Sequence, residues 1–152
     1  MRLCLFSKFA LAFAACCAVP LMAAAPSKED AAKTDLDKIQ GTWKVVAMEA
    51  AGQQAPAEIV AALKFVFKDG KLTFTPGEPG FTNYTFKLNA TAKPASFDMT
   101  HADGDNKGET HKGIYSLKGD NLKICFGNAD DRPKEFTAKG KQAMYVLKRE
   151  KP

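Results

Sequence analysis

His101 and His111, the chain's two histidines, bracket a short polar stretch that also carries Asp103, Asp105 and Glu109. Imidazoles and carboxylates on one connection are the residue types of a divalent-metal site. Zinc, however, takes three or four ligands at about 2.0–2.2 Å for nitrogen and oxygen, and the carboxylates here sit on a loop with nothing in its sequence to hold them. The order Asp103-Gly104-Asp105-Asn106 resembles a calcium loop, but Lys107 stands where an acceptor is needed and Ile114 where the closing glutamate belongs. The expectation is therefore a solvated turn and no metal. If the segments on either side pair as strands, the two imidazoles come close together.

Other chemistry is thinly supplied. A catalytic thiolate needs a neighbouring base or positive dipole. Cys125 has none in its local sequence, and it alternates out of phase with Ile124 and Phe126, so it reads as a half-buried structural thiol. There is no Gly-x-Ser-x-Gly nucleophile elbow, and beyond the first 24 residues only Ser27, Ser96 and Ser116 occur. No phosphate-binding loop or dinucleotide fingerprint is present. Asp130-Asp131-Arg132 reads as a loop in which the arginine pins the turn to the body of the domain. An enzyme ranks last among the readings, and no cofactor is called for.

The elements that would position these residues begin after an atypical N-terminus. Arg2 and Lys8 precede the apolar run Phe9–Ala25, which ends in small residues and is interrupted by Pro20. A basic start, a short apolar segment and a small-residue exit describe a secretory signal, and the run is short for a membrane span of about 20 residues. The pattern predicts a signal over 1–24 and a polar tether over 25–35. The alternatives are a lipoprotein signal acylated at Cys16, within Phe13-Ala14-Ala15-Cys16, and an uncleaved anchor. Each places the domain outside the cytoplasm, periplasmic or secreted, with membrane attachment only if it is lipidated or uncleaved. Removing 1–24 takes Cys4, Cys16 and Cys17 away and lowers the net charge from +5 to +3. One remaining cysteine excludes an internal disulfide, and about 128 residues make one domain. The pI of about 9.0 does not imply nucleic acid, because the lysines are interleaved with acids and form no basic stripe.

From Thr42 onward the dominant period is two. Trp43, Val45 and Ala47 form one face of a first strand. Pro56–Leu63 reads as a short helix with Ile59, Ala62 and Leu63 on one side. Phe65 and Phe67 lead through Asp69-Gly70, a tight hairpin turn, to Leu72 and Phe74. Tyr84, Phe86 and Leu88, then Phe97 and Met99, face inward on the next strands. Tyr115 and Leu117 turn through Gly119-Asp120 to Leu122, Ile124 and Phe126. Phe136 marks a short strand, and Met144–Arg149 closes the set. Eight or nine short strands with short connections predict an all-β antiparallel up-and-down barrel of about eight strands, with one or two short helices. A sandwich is the alternative. Eight strands enclose an interior just wide enough to be filled by side chains or to hold one small ligand.

Gly41-Thr42-Trp43, following a short helical lead-in, resembles the Gly-x-Trp signature of lipocalins. In that family the Trp closes one barrel end and an Arg from the last strand lies across it. Trp43 and Arg149 match those positions as a barrel-closing pair. Leu36–Val46, Phe97-Asp98-Met99-Thr100, Gly113-Ile114-Tyr115, Gly119–Phe126, Arg132-Pro133-Lys134-Glu135-Phe136 and Val146-Leu147-Lys148-Arg149 resemble, in order, a family of small lipocalin-like domains abundant in planctomycete bacteria. The resemblance covers 36–150 and implies an exported lipocalin-like barrel without defining an activity. On this reading the protein is a non-enzymatic binding module for a small apolar molecule or an envelope protein. Phe65, Phe67, Phe74, Tyr84, Phe86, Phe97 and Tyr115 would line the cavity. The competing reading is a filled barrel serving as a structural or protein-interaction domain of the envelope.

Overall fold

The computed structural model describes residues 28–75, 83–127 and 131–151; the N-terminal segment read as a signal, with Cys16, and the whole Pro76–Gly80 loop lie outside them. Helix α1 (Lys28–Ile39) precedes β1 (Gly41–Ala50), the stub β2 (Gln53–Gln54) and helix α2 (Ala57–Ala62). Seven strands follow: β3 (Lys64–Lys68), β4 (Lys71–Thr75), β5 (Tyr84–Asn89), β6 (Ser96–His101), β7 (Thr110–Lys118), β8 (Asn121–Phe126) and β9 (Ala143–Arg149). Each strand from β3 to β9 pairs antiparallel with the next, and β1 pairs with both β3 and β9, so β1 and β3–β9 close an eight-stranded barrel. The stretch read as a polar tether over 25–35 is helical from Lys28 onward.

Local chemistry sets the turns. Asp69 and Gly70 both have positive φ, 50° and 74°, and join Lys68 to its partner Lys71. Two left-handed residues in succession match the twist of a tight hairpin. Gly119, at φ 56°, does the same between Lys118 and Asn121. These turns and α1 gather at one end of the barrel, the base. Strands β4, β6 and β8 end at the opposite end, the mouth.

Three features depart from the simple alternation. In β1 the register moves from Val45 opposite Leu147 to Ala47 opposite Val146, so Val46 is an inserted bulge residue. A bulge turns the following side chains to the opposite face. Met48 packs on the core where the plain pattern put Ala47, and Val46 is left 47% exposed. In α2 the core side carries Val60, followed by Leu63, while Ile59 is 54% exposed. The six-residue helix fills the space where β1 leaves β3 beyond Lys44, and that gap rather than its own periodicity orients it. Phe136 lies in no strand. β8 is already paired on both sides, by β7 and β9, and a closed barrel offers no edge for another strand. The segment around Phe136 instead lies over the outside of β7 and β8. It buries Ile114, Cys125 and Ala138, accepts a hydrogen bond from Cys125 Sγ at Thr137 O (3.0 Å), and places the Phe136 ring 5.8 Å from Lys123 Nζ.

The base is closed by one cluster. The last carbonyls of a helix lack intrahelical partners. At the end of α1 side chains serve them: Gln40 Nε2 donates to Leu36 O (2.9 Å), and Trp43 Nε1 to Ile39 O (2.8 Å). Arg149 Nη2 donates to Lys38 O and Nη1 to Gln40 O (2.7 Å). The guanidinium carbon lies 4.2 Å from the Trp43 ring centroid, and Nε meets Asp120 at 3.3 Å. Gly41, at φ 111°, makes the turn into β1, and a Cβ there would stand 3.3 Å from Arg149 Nη1. Tyr115 Oη donates to Asp35 (2.7 Å), tying α1 to the barrel floor.

Higher up, Arg132 holds the outer segment, donating to Gly113 O (2.6 Å) and pairing with Asp98 (2.6 Å). A Cβ at Gly113 would stand 2.8 Å from Cys125 O and 2.9 Å from the Phe126 ring, so the missing side chain is what admits Phe126. Two stability outcomes follow for urea denaturation. Trp43→Ala should cost about 3–5 kcal/mol, as expected for removal of a fully buried large ring. Gly113→Ala should cost about 1–3 kcal/mol through overpacking. A loss below about 1 kcal/mol for Trp43→Ala would place the indole outside the cooperative core.

Candidate ligand site in the barrel interior

The inward positions of the strands bring rings together across the barrel. Phe65 and Phe67 alternate on β3 with centroids 6.3 Å apart. Phe67 reaches Phe97 on β6 at 6.3 Å, Phe97 reaches Phe126 on β8 at 5.5 Å, and Phe126 reaches Tyr145 on β9 at 6.2 Å. Tyr145 returns to Phe65 at 5.3 Å. These five rings make a closed cycle, and Phe86 stacks on Phe97 at 5.6 Å with the planes 3° apart. Ring pairs at such spacings contribute about 0.5–1.5 kcal/mol each beyond their buried area.

A second series of rings climbs from this cycle to the mouth. Phe74 meets Phe65 edge-on at 4.6 Å, Tyr84 meets Phe74 at 5.2 Å, and His101 lies 4.5 Å from Tyr84. His101 Nε2 and His111 Nε2 are 3.0 Å apart and share a hydrogen bond. Pairing of β6 with β7 is what joins the two histidines. Beside this series, β4 and β5 pair among the described residues through Lys71 with Thr85 and Leu72 with Tyr84.

The electrostatics of the mouth follow from burial and from its acids. Burial and then the His111 ring hold the His101 imidazole below its ordinary pKa, while Glu109 and Asp103 pull it the other way. Burial raises the Tyr84 phenol, aided by Asp103, and raises Tyr145, aided by Tyr84. The mouth therefore presents neutral imidazole and phenol groups above an apolar floor. Asp103 accepts from Asn83 Nδ2 (3.2 Å), and the 102–109 loop is an ordinary hydrogen-bonded turn. Among the described residues no group of three or more His, Cys, Asp or Glu could hold a metal ion.

Of the seven lining candidates, Phe65, Phe67, Tyr84, Phe86 and Phe97 are buried in the ring assembly and Phe74 is half-buried beside it. Tyr115 is set apart, at the floor with its hydroxyl on Asp35. Its phenol is raised strongly by burial and by that bond. The candidate list omitted Phe126 and Tyr145. Both lie on the inward phase of their strands, with Ile124 and Leu147 respectively, and that periodicity is the signal that would have found them. Cys125 is fully buried outside the barrel. Burial pushes its thiol up, against the smaller opposing effect of its bond to Thr137.

A closed eight-stranded barrel plugged at one end by a helix and a Trp–Arg pair, and lined by rings, is the architecture of the lipocalin-like proteins. The model of the family described as "Lipocalin-like domain" matches residues 39–142, and the chain belongs to that family. A solved structure of a mutant of the fluorescent protein UnaG aligns over 77% of this chain and 99% of its own, at 16% identity and a TM-score of 0.41. No curated protein matches the chain.

The histidine pair makes stability depend on pH. With His101 lowered below 6.5 in the folded protein, the unfolded chain binds more protons between the two pKa values. The contribution is fully present above pH 6.5 and is lost as pH falls toward the folded value. Denaturation from pH 8 to 5 should show falling stability across this window, with a shallower fall in His101→Gln. Equal slopes would mean the imidazole pair is not responsible.

Proposed function

We propose that this domain is a non-enzymatic binding module, working outside the cytoplasm, that takes a small apolar molecule at the mouth of its barrel. The observation that carries the reading is the inward aromatic wall rising from the ring cycle to Tyr84, His101 and His111. Apolar pockets with a few placed polar groups are the usual form of small-ligand sites. Here Phe74 and Tyr145 offer apolar surface, while the imidazole pair and the phenols offer hydrogen-bonding groups. Support for a non-enzymatic role is chemical: the Cys125 thiol is buried and hydrogen-bonded, and the two histidines are engaged with each other. Support for export comes from the leader, with ordinary cleavage after residue 24 preferred to acylation at Cys16.

A second reading has its own observation. The contact of Phe67 on β3 with Phe97 on β6, three strands away round the barrel, crosses the interior, which favours a filled barrel acting as a structural or protein-interaction domain of the envelope. Native mass spectrometry after exposure to an envelope-lipid extract separates the two. On the binding reading a one-to-one adduct forms, and the ring signals of Phe74, Tyr84 and Tyr145 shift in NMR spectra. The absence of both leaves the filled barrel.

A further inference from the structure

A cavity of about 620 Å³ lies away from the ring assembly, between α2 and the β1–β9 ladder. We propose that this groove is a separate binding site, for a small molecule with an apolar body and a single cationic head. It owes its shape to two irregularities. The β1 bulge leaves the consecutive residues Val46 and Ala47 both exposed, with Val146 of β9 opposite Ala47. Facing them, α2 contributes Ala57 and Ala61, whose side chains are too short to fill the space, while Val60 is drawn toward the core. The volume falls in the range of about 300–1,000 Å³ typical of small-ligand sites.

The charge of the groove selects the head group. Glu49, opposite Met144, is half-buried in its wall, and its carboxylate has no ion-pair or hydrogen-bond partner among the described residues. No lysine or arginine lines the groove. A half-buried carboxylate without a partner among the described residues is free to accept a charge-assisted hydrogen bond from a cation. An alkylammonium meets both requirements: its chain lies on the valines and alanines, and its N–H groups donate to Glu49. This site stands independently of ligand binding at the barrel mouth.

Decylammonium, decanol and decanoate, each below its micellar concentration, test the assignment by calorimetry and by backbone amide NMR shifts on the full domain. The expected result is that the amine binds most tightly and shifts Val46, Glu49, Ala61 and Val146. Glu49→Gln should weaken amine binding roughly three- to tenfold, as for loss of one charge-assisted hydrogen bond, and leave decanol unchanged. Glu58→Gln makes the same charge change on α2 outside the groove and should leave the amine unaffected. The proposal is overturned if decanoate binds as tightly as the amine, or if the two glutamate variants behave alike. It is equally overturned if the shifts fall on Phe74, Tyr84 and His101, a pattern that would support binding at the mouth. Shifts confined to the groove support this site whatever the mouth does.

Discussion

The contact on which the rest of the barrel depends is that of Arg149 with Trp43 and the end of α1. It joins the first and last strands of the barrel at the position where β1 and β9 must pair. One guanidinium lies over the indole, donates to the helix carbonyl of Lys38 and to that of Gln40 just past the helix, and meets Asp120 of the β7–β8 turn. Cation–π contact is favourable by about 0.5–2 kcal/mol, and a positive charge at a helix C-terminus adds to it. The larger effect is geometric. The cluster satisfies carbonyls that would otherwise be stranded at the floor, and so allows a helix to end against an apolar interior. Gly41 is required there because the chain must turn sharply under the guanidinium.

Above that floor the interior is organised by rings rather than by aliphatic side chains. The ring cycle links β3 to β6 across the interior and β9 to β3 past the intervening β1. At the mouth the imidazole pair caps the ascending rings. The same ring contacts also make a self-sufficient core, which is why the filled-barrel reading retains force. Membership of the lipocalin-like family is consistent with a binding role and names no ligand.

Elements that depend on near neighbours in the chain were readable before folding. The two tight turns followed from Asp69-Gly70 and Gly119-Asp120, and the inward faces of β3 to β8 followed from strict alternation. Where a long-range partner intervened, the pattern misled. Val46 reads as one more step in an alternating strand, yet the register with β9 makes it a bulge. Phe136 reads as a strand residue, yet no sheet edge was left to receive it. Ile59 reads as the buried side of α2, but the gap between β1 and β3 chose Val60 instead.

The sequence by itself determined an all-β chain of short antiparallel strands, one apolar face to each, opened by Gly41-Thr42-Trp43 and closed by Arg149. Those properties are written in a period of two and in turn residues with restricted backbone angles. Only the tertiary structure decided that Phe67 touches Phe97, that the strand pairing foreseen for His101 and His111 brings their rings into a hydrogen bond, and that a groove remains between α2 and the β1–β9 ladder. Each of these depends on which residues barrel closure sets against one another from distant parts of the chain. A local pattern says which way a side chain points but not what it will meet.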